Sequence, residues 1–209
     1  MEAMSSAPLR TYGGVSGTDR QAERRAQLLE AGLDLLGSEE GPPHALTVRG
    51  VCRRAGLAAR YFYENFADRD ALAAAVYDHV VEGIAATTLE AVQEAPADAE
   101  AKVRAGLSRL VRTVAEDPRR GRLLFSPSMA DAALAQRRAA STRMFVGLLG
   151  VQAREFYGVD GGTRLDILAE MLVGGLAQTL TSWLDGSLEA TEDEVVDHGA
   201  ELFLAVSAT

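Results

Sequence analysis

The sequence has few residues that could build a disulfide or a metal site. Its 209 residues include one cysteine, Cys52, and three scattered histidines, His44, His79 and His198. A single cysteine excludes an intramolecular disulfide and a zinc site built from clustered cysteines. Glu194, His198 and Glu201 share one face of a helical segment, but without partner ligands elsewhere this face is interpreted as solvated or interfacial. The sequence therefore predicts neither a metal nor a cofactor.

Long apolar runs and enzyme motifs are missing as well. No window of about 18 residues is both apolar and uncharged, so a membrane-spanning helix is not expected. Residues 1–19 lack the apolar central run of a signal peptide, which favours a cytoplasmic protein. The chain contains no P-loop and no H-E-x-x-H pair, and Ser16 lacks the spacing of a nucleophile elbow. Enzymatic activity is therefore not expected.

Positive charge is scarce overall and unevenly distributed. The chain has 30 acidic residues against 20 arginines and one lysine, Lys102, which gives a net charge of −9. Such acidity disfavours unspecific nucleic-acid binding by the whole surface, because phosphate contacts need Lys and Arg. Residues 49–69, however, carry five arginines and two acids, whereas residues 71–209 carry 12 basic and 20 acidic side chains. The positive field is therefore gathered in one short segment.

Apolar residues recur at helical spacing from about Arg20 almost to the C-terminus. No segment shows the sustained alternation that is typical of strands, so the pattern predicts an all-α fold of about nine helices. Composition and turn signals divide the chain into a flexible N-terminal tail over residues 1–19, a three-helix domain over residues 20–67 and a larger helical domain over residues 68–209.

Residues 47–66 have the spacing of a helix-turn-helix motif. Two helices of about eight residues each are joined by a turn around Gly56, which suits a left-handed conformation. Thr47 is the predicted N-cap of the first helix, and the second helix carries Arg60 between apolar and tyrosine positions. Because arginine can bond guanine and tyrosine hydroxyls can reach phosphate oxygens, the segment predicts DNA recognition in the major groove.

From about residue 20 to residue 80 the sequence resembles the TetR family of bacterial transcriptional regulators. The resemblance rests on Thr47 at the start of the second helix, Ala-Gly-Leu at 55–57, Tyr-x-x-Phe at 63–66 and Asp-Arg-Asp-Ala-Leu at 68–72. It implies a helix-turn-helix domain joined to a larger helical domain. That larger domain would bind a small effector and form a homodimer through its last two helices.

The resemblance also implies roles for single residues. Thr47 and Tyr63 stand at phosphate-contacting positions, and Arg69 stands where the family commonly has lysine. Ala58 departs from the pattern, because a Ser or Thr usually caps the recognition helix there and can touch phosphate. The predicted DNA-binding residues are Thr47, Arg49, Ala59, Arg60, Tyr61, Tyr63 and Arg69.

Two further residue sets are predicted in the larger domain. Large apolar side chains at helical spacing are candidates for an effector pocket, although such residues are more often simple core. These candidates are Leu107, Phe125, Met129, Met144, Leu148, Met171 and Trp183. Gly174 and Gly175 interrupt an apolar helix at a cost on the order of 1 kcal/mol each, which close approach of another helix would offset. The predicted dimer interface comprises Leu172, Gly175, Leu176, Leu180 and Leu202.

Together these features predict a sequence-specific transcriptional regulator. A small-molecule effector would release this repressor from a pseudo-palindromic double-stranded DNA operator, which a homodimer reads with two related heads. Two alternatives stay open. An all-α enzyme needs a buried histidine beside a carboxylate in a cleft, and a partner-binding module without DNA needs an exposed apolar patch in place of the positive face. The arginines Arg10 and Arg20 leave open whether the tail reaches a minor groove.

Overall fold

The computed structural model describes residues 17–38, 46–125, 132–157 and 162–207. Within these ranges the chain forms nine α-helices and no strand, which confirms the predicted all-α fold. The helices are α1 (Gly17–Leu36), α2 (Val48–Ala55), α3 (Ala59–Tyr63), α4 (Arg69–Glu94), α5 (Ala99–Glu116), α6 (Pro118–Phe125), α7 (Ala132–Tyr157), α8 (Thr163–Leu184) and α9 (Glu192–Ser207). The helix α1 begins three residues before the predicted Arg20, with Asp19 in its first turn, where a negative charge favours the helix dipole.

Local hydrogen bonds place α2 and α3 as a helix-turn-helix. Thr47 Oγ1 accepts a hydrogen bond from the Gly50 amide at 3.0 Å, as predicted for an N-cap. Gly56 ends α2 in the left-handed region, with φ of 67°, where a side chain would be strained. The recognition helix α3 is shorter than the predicted 58–66, because the amides of Asn65 and Phe66 both turn back to the Phe62 carbonyl.

One hydrophobic core joins the first four helices. Phe62 is fully buried on the inner side of α3, where its ring lies 5.8 Å from that of Phe66. Leu28 of α1 and Leu72 of α4 are also completely buried in this core. Cys52 is buried too, and burial raises the pKa of its thiol, so this side chain packs as a protonated apolar group.

The larger domain is built around α4. This helix packs against α5 and α7, while α8 packs on α6 and α7, and α9 lies mainly against α5. Side chains cap two of these helices: Asp98 accepts from the Ala101 amide, and Thr191 and Glu194 exchange the two hydrogen bonds of a capping box. Among the described helices, only α8 is long and apolar enough to cross a membrane, but it packs against α6, α7 and α9.

The N-terminus of α3 offers a direct test of local stability. Ala58 has the extended backbone of an N-cap, with φ of −73° and ψ of 148°, but makes no capping hydrogen bond. Replacing it in A58S supplies an oxygen for the free amides of the first turn. We expect this change to raise the free energy of unfolding by about 0.5–1 kcal/mol in urea denaturation.

The control is A59S, one residue further along inside α3. There the hydroxyl lies past the cap, and serine is a weaker helix former than alanine. An equal gain in stability from both substitutions, or no gain from A58S, would contradict the assignment of residue 58 as an unfilled cap.

Candidate DNA-binding face and effector cavity

The outer side of α2 and α3 is a polar, mostly positive surface. Thr47, Arg49, Ala59 and Arg60 are all exposed, and 62% of Tyr63 is accessible. Behind them Phe62 anchors α3 in the core and stacks edge-on against the Tyr63 ring, with centroids 5.5 Å apart. The same short helix therefore has an apolar inner side and an outer side free to enter a groove of DNA.

Tyr61 makes contacts within the DNA-binding domain. It is half-buried, with the guanidinium of Arg24 lying 4.3 Å and that of Arg60 lying 4.5 Å from its ring centroid. Arg60 also donates a hydrogen bond to the Tyr61 hydroxyl. Tyr61 therefore positions Arg60, and Arg24 adds a cation from α1 that the sequence reading missed. The signal available for it was the Arg-Arg pair at 24–25, one turn before Leu28 and Leu29 on the same side of α1.

Two other polar residues of this region bond within the domain. The side-chain amide of Asn65 donates to the Tyr61 carbonyl at 2.8 Å, so it supports the end of α3. Arg69 lies exposed at the start of α4, 3.2 Å from the carboxylate of Asp70. Asp68 accepts from the Ala71 amide at 2.7 Å and caps the same helix. Arg69 is therefore placed on the edge of the positive face, at the junction of the two domains.

The short helix α6 connects the two domains by ion pairs. Arg119 donates to Glu30 of α1 at 2.8 Å and also pairs with Asp34, one turn further along α1. Its remaining N–H groups bond both oxygens of Asp117 at 2.8 Å. Asp34 accepts a second hydrogen bond, at 2.5 Å, from Arg54 of α2. Charged contacts therefore run from α6 through α1 to the helix-turn-helix.

Backbone contacts hold the same helix tightly. Arg122 Nε donates to the Gly37 carbonyl at the end of α1, at 2.6 Å. Gly121 faces α8 so closely that a Cβ there would lie 2.2 Å from Leu184 Cδ1. The last residues of α6, Leu124 and Phe125, line a cavity in the larger domain. The helix α6 therefore contacts the DNA-binding domain at one end and the cavity at the other.

The cavity has a volume of about 1040 Å³ and lies between α4, α5, α7 and α8. Its walls are mainly aliphatic, and the residues that line it include Val81, Ile84, Leu89, Val103, Leu110, Leu165, Leu168 and Val173. The lining runs along α4 from Tyr77 to Val92 and along α8 from Arg164 to Thr181. At 1.5 Å per helical residue, each stretch is roughly 20–25 Å long. The cavity therefore suits an elongated apolar molecule.

Three of the predicted pocket residues, Leu107, Phe125 and Leu148, do line the cavity. Met144 and Met171 do not, because they lie on the outer sides of α7 and α8, with 41% and 69% of each residue accessible. Trp183 is also absent from the lining, since its indole N–H donates to the Ala190 carbonyl at 2.8 Å. Met129 lies outside the described residues.

The predicted interface residues divide between the two faces of α8. Leu172 and Leu180 are buried, with 8% and 0% accessible, and together with Leu176 they line the cavity. Gly175 is exposed, and a Cβ at this residue would meet no atom within 4 Å. On α9, Leu202 is 56% accessible. Only these last two are available to a partner.

No group of three or more His, Cys, Asp or Glu side chains is placed to hold a metal within the described ranges. His198 and Glu201 bond each other at 3.1 Å on an exposed face of α9, while Glu194 is used in the capping box.

Comparison with known proteins agrees with this architecture. Residues 28–76 match the model of "Bacterial regulatory proteins, tetR family". The fatty acid degradation regulator FadR from Bacillus halodurans has a similar structure, with a TM-score of 0.71, 17% identity, and 87% of this chain and 94% of that chain covered. FadR from Bacillus subtilis in complex with stearoyl-CoA is similar too, with a TM-score of 0.70 and 15% identity. The match covers 85% of this chain and 96% of that chain. A tetR-family transcriptional regulator from Streptomyces coelicolor has a TM-score of 0.68 and 20% identity. The match covers 90% of this chain and 82% of that chain.

No curated protein matches the sequence. At these identities the solved structures show a shared fold, while the family match falls on the helix-turn-helix and the helices on either side of it. The helix-turn-helix domain therefore matches the TetR family of bacterial regulatory proteins, which supports a DNA-binding transcriptional regulator, and the whole chain shares the fold of solved regulators.

Proposed function

We propose that the protein is a cytoplasmic, dimeric repressor that a small molecule releases from its operator. The operator is a pseudo-palindromic DNA duplex, and the effector binds in the cavity between α4, α5, α7 and α8. The observation that carries this proposal is the position of α6, which lines the cavity with Phe125 and forms ion pairs with α1 through Arg119.

The reading head is the outer side of α3 with the start of α2. Arg60 is exposed at the centre of this side and is held by the Tyr61 hydroxyl and ring, which supports a contact to guanine. Thr47 and Tyr63 flank it with exposed hydroxyls that suit phosphate oxygens. Arg49 and Arg69 extend the positive surface on either side.

Effector binding would act on DNA affinity through α6. A ligand can shift an equilibrium only if it binds one conformation more tightly than the other. Because α6 is packed against both α1 and α8, a ligand that displaces Phe125 would move the whole helix. That movement would change the contacts of Arg119 with α1, and with them the spacing of two reading heads in a dimer.

The cavity walls indicate what the effector is made of. They are mainly aliphatic, so an apolar small molecule fits them best. The similarly folded FadR from Bacillus subtilis has been solved with stearoyl-CoA, a molecule with a long hydrocarbon chain. We propose no catalytic activity, because the described lining of this cavity includes no histidine and no carboxylate to move a proton.

A second copy of the chain would pack on the outer sides of α7 and α8. Large apolar side chains that do not line the cavity are exposed on both helices: Met144 and Val151 on α7, and Ile167 and Met171 on α8. Gly175 lies on the same side of α8 as Met171, one turn away, and leaves room for close approach. The dimer proposed here therefore uses α8, as the sequence predicted, but pairs it with α7 instead of α9.

The role of α3 can be tested by operator binding. In a duplex from the region upstream of the protein's own gene, R60A should weaken binding roughly tenfold to a hundredfold, because a base contact is lost. Y63F should weaken it several-fold, because one phosphate hydrogen bond is lost. Fluorescence anisotropy at fixed salt measures both. The control is R109A, which changes an exposed arginine of α5. Equal binding by the wild type and all three variants would contradict the role of α3 in DNA recognition.

The ion pairs between the domains give a pH-dependent test. Burial alone would raise the pKa of Asp34, but the hydrogen bonds and charges of Arg54 and Arg119 outweigh it and lower this pKa. A lowered carboxyl pKa stabilises the fold above the unfolded value near 3.9, and this stability is lost as pH falls through the folded value. D34N should therefore cost about 1 kcal/mol at pH 7, and the difference from the wild type should shrink below about pH 4.

Urea unfolding at several pH values in this range measures the stability of D34N and of the wild type. The control is D70N, which removes an exposed pair with Arg69 and should change the stability little at any pH. A D34N deficit that stays constant down to pH 3 would show that Asp34 does not stabilise the α1–α6 contact by its charge.

The dimer face can be located with two matched charges. M171E places a carboxylate on the apolar outer side of α8, whereas L202E places one on exposed α9. Burying an unpaired charge is costly, so M171E should raise the dimer dissociation constant at least a hundredfold and L202E should leave it unchanged. Sedimentation velocity measures both. A monomeric L202E beside a dimeric M171E would instead support the interface through α9.

A further inference from the structure

The charges that line the cavity are all of one sign. Three basic residues contribute to the wall, Lys102, Arg138 and Arg164, whereas no Asp or Glu is present among the described lining residues. This is the reverse of the whole chain, in which acids outnumber bases and the net charge is −9. A cavity with apolar walls and an excess of cations favours a ligand that carries negative charge.

Arg138 is the cation best placed to bind such a charge. It lies on α7 where the cavity meets α6, and its Nη2 donates to the Leu123 carbonyl at 3.1 Å. Its Nε–H is buried and has no hydrogen-bond partner. A buried donor on a charged group costs free energy when it is left unpaired, so this atom marks a position for an acceptor.

The described residues around Arg138 supply no counter-ion. The neighbouring Arg137 has one, because it pairs with Asp78 outside the cavity. Arg138 forms no ion pair with a described residue, and burial lowers the pKa of its guanidinium, which shows the cost of keeping this charge away from water. Arginine stays protonated in proteins, so the charge persists until an anion neutralises it.

Polar groups are concentrated at the same end of the cavity. The hydroxyls of Tyr77 and Ser141 bond each other at 2.7 Å, and the Thr181 hydroxyl donates to backbone carbonyls of α6 and α8. Away from this end the walls are mainly aliphatic over a length of roughly 20 Å, apart from Thr88, Lys102 and Arg164. The end next to α6 therefore combines Arg138 with several hydroxyl groups, and an aliphatic stretch leads away from it.

We propose that the effector is a long-chain carboxylate, with its carboxylate bound to Arg138 and its hydrocarbon chain extending between α4 and α8. This inference rests on the proposed function, since it specifies the ligand of the same cavity. A single guanidinium with one unpaired buried N–H matches a monovalent carboxylate, whereas a phosphate dianion would keep unpaired charge. Because Arg138 also holds the Leu123 carbonyl, the bound carboxylate lies directly against α6.

Three probes of equal chain length test this proposal: dodecanoate, dodecanol and dodecylamine, each below its micelle concentration. Isothermal titration calorimetry on the full-length dimer should give at least tenfold tighter binding for the acid than for the alcohol, and the weakest binding for the amine. In R138Q the acid and the alcohol should bind within about twofold of each other, with the affinity for the alcohol retained. R137Q, one residue away and outside the cavity, should keep the preference for the acid.

Several results would overturn the proposal. They are equal binding of acid and alcohol by the wild type, no binding of any probe, or an acid preference that survives in R138Q. Loss of that preference in R164Q instead would place the anion elsewhere. An equal loss of acid and alcohol binding in R138Q would show that Arg138 only shapes the wall, and circular dichroism would confirm that this variant is folded.

The same probes separate this inference from the proposed function. If the alcohol releases DNA from the wild type as well as the acid does, the carboxylate site is wrong while the ligand-released repressor stands. If the acid binds through Arg138 but does not release DNA, the carboxylate site stands while the release mechanism is wrong.

Discussion

Arg119 holds the two domains of this protein together, and both proposed activities depend on that contact. It is the one side chain of α6 that bonds two carboxylates of α1, and Asp117 aligns its guanidinium from the other side. The other links between the cavity and the helix-turn-helix are α4 itself and the Arg122–Gly37 hydrogen bond. With the Arg119 contact, the position of α6 determines the orientation of α1, and through Asp34 and Arg54 that of α2.

Close packing makes α6 a useful connection despite its eight residues. Gly121 allows Leu184 of α8 to touch the backbone of α6, and Arg122 bonds the carbonyl that ends α1. Packed interiors respond to an added group by moving elements as units, because little free space remains to absorb it. A ligand next to Phe125 would therefore shift the helix instead of being absorbed locally. The energy for that shift must come from contacts made only in the ligand-bound conformation.

Local features of this fold were readable from the sequence, and non-local ones were not. The caps at Thr47, Asp68 and Thr191 depend on residues three positions apart, so the sequence alone predicted them correctly. The stacking of Arg24 on Tyr61 joins residues far apart in the chain and left no periodic signal. Periodicity likewise marked α8 as apolar on two sides, but could not tell which side lines a cavity. Leu180, which was predicted for the dimer interface, lines the cavity, and Met171, which was predicted for the cavity, lies on the outer side of α8.

The distribution of charge connects the two sites. Acidic residues cover much of the larger domain and would repel DNA there, so the duplex can be approached only by the positive side of α2 and α3. The cavity reverses this pattern inside the same domain, where Arg138 Nε is kept from water and no carboxylate of a described residue pairs with this arginine. A protein surrounded by negative charge gains nothing from a cation in its interior unless that cation has something to bind. The unpaired Nε of Arg138, one hydrogen bond away from α6, is therefore better explained as part of a ligand site than as part of the core.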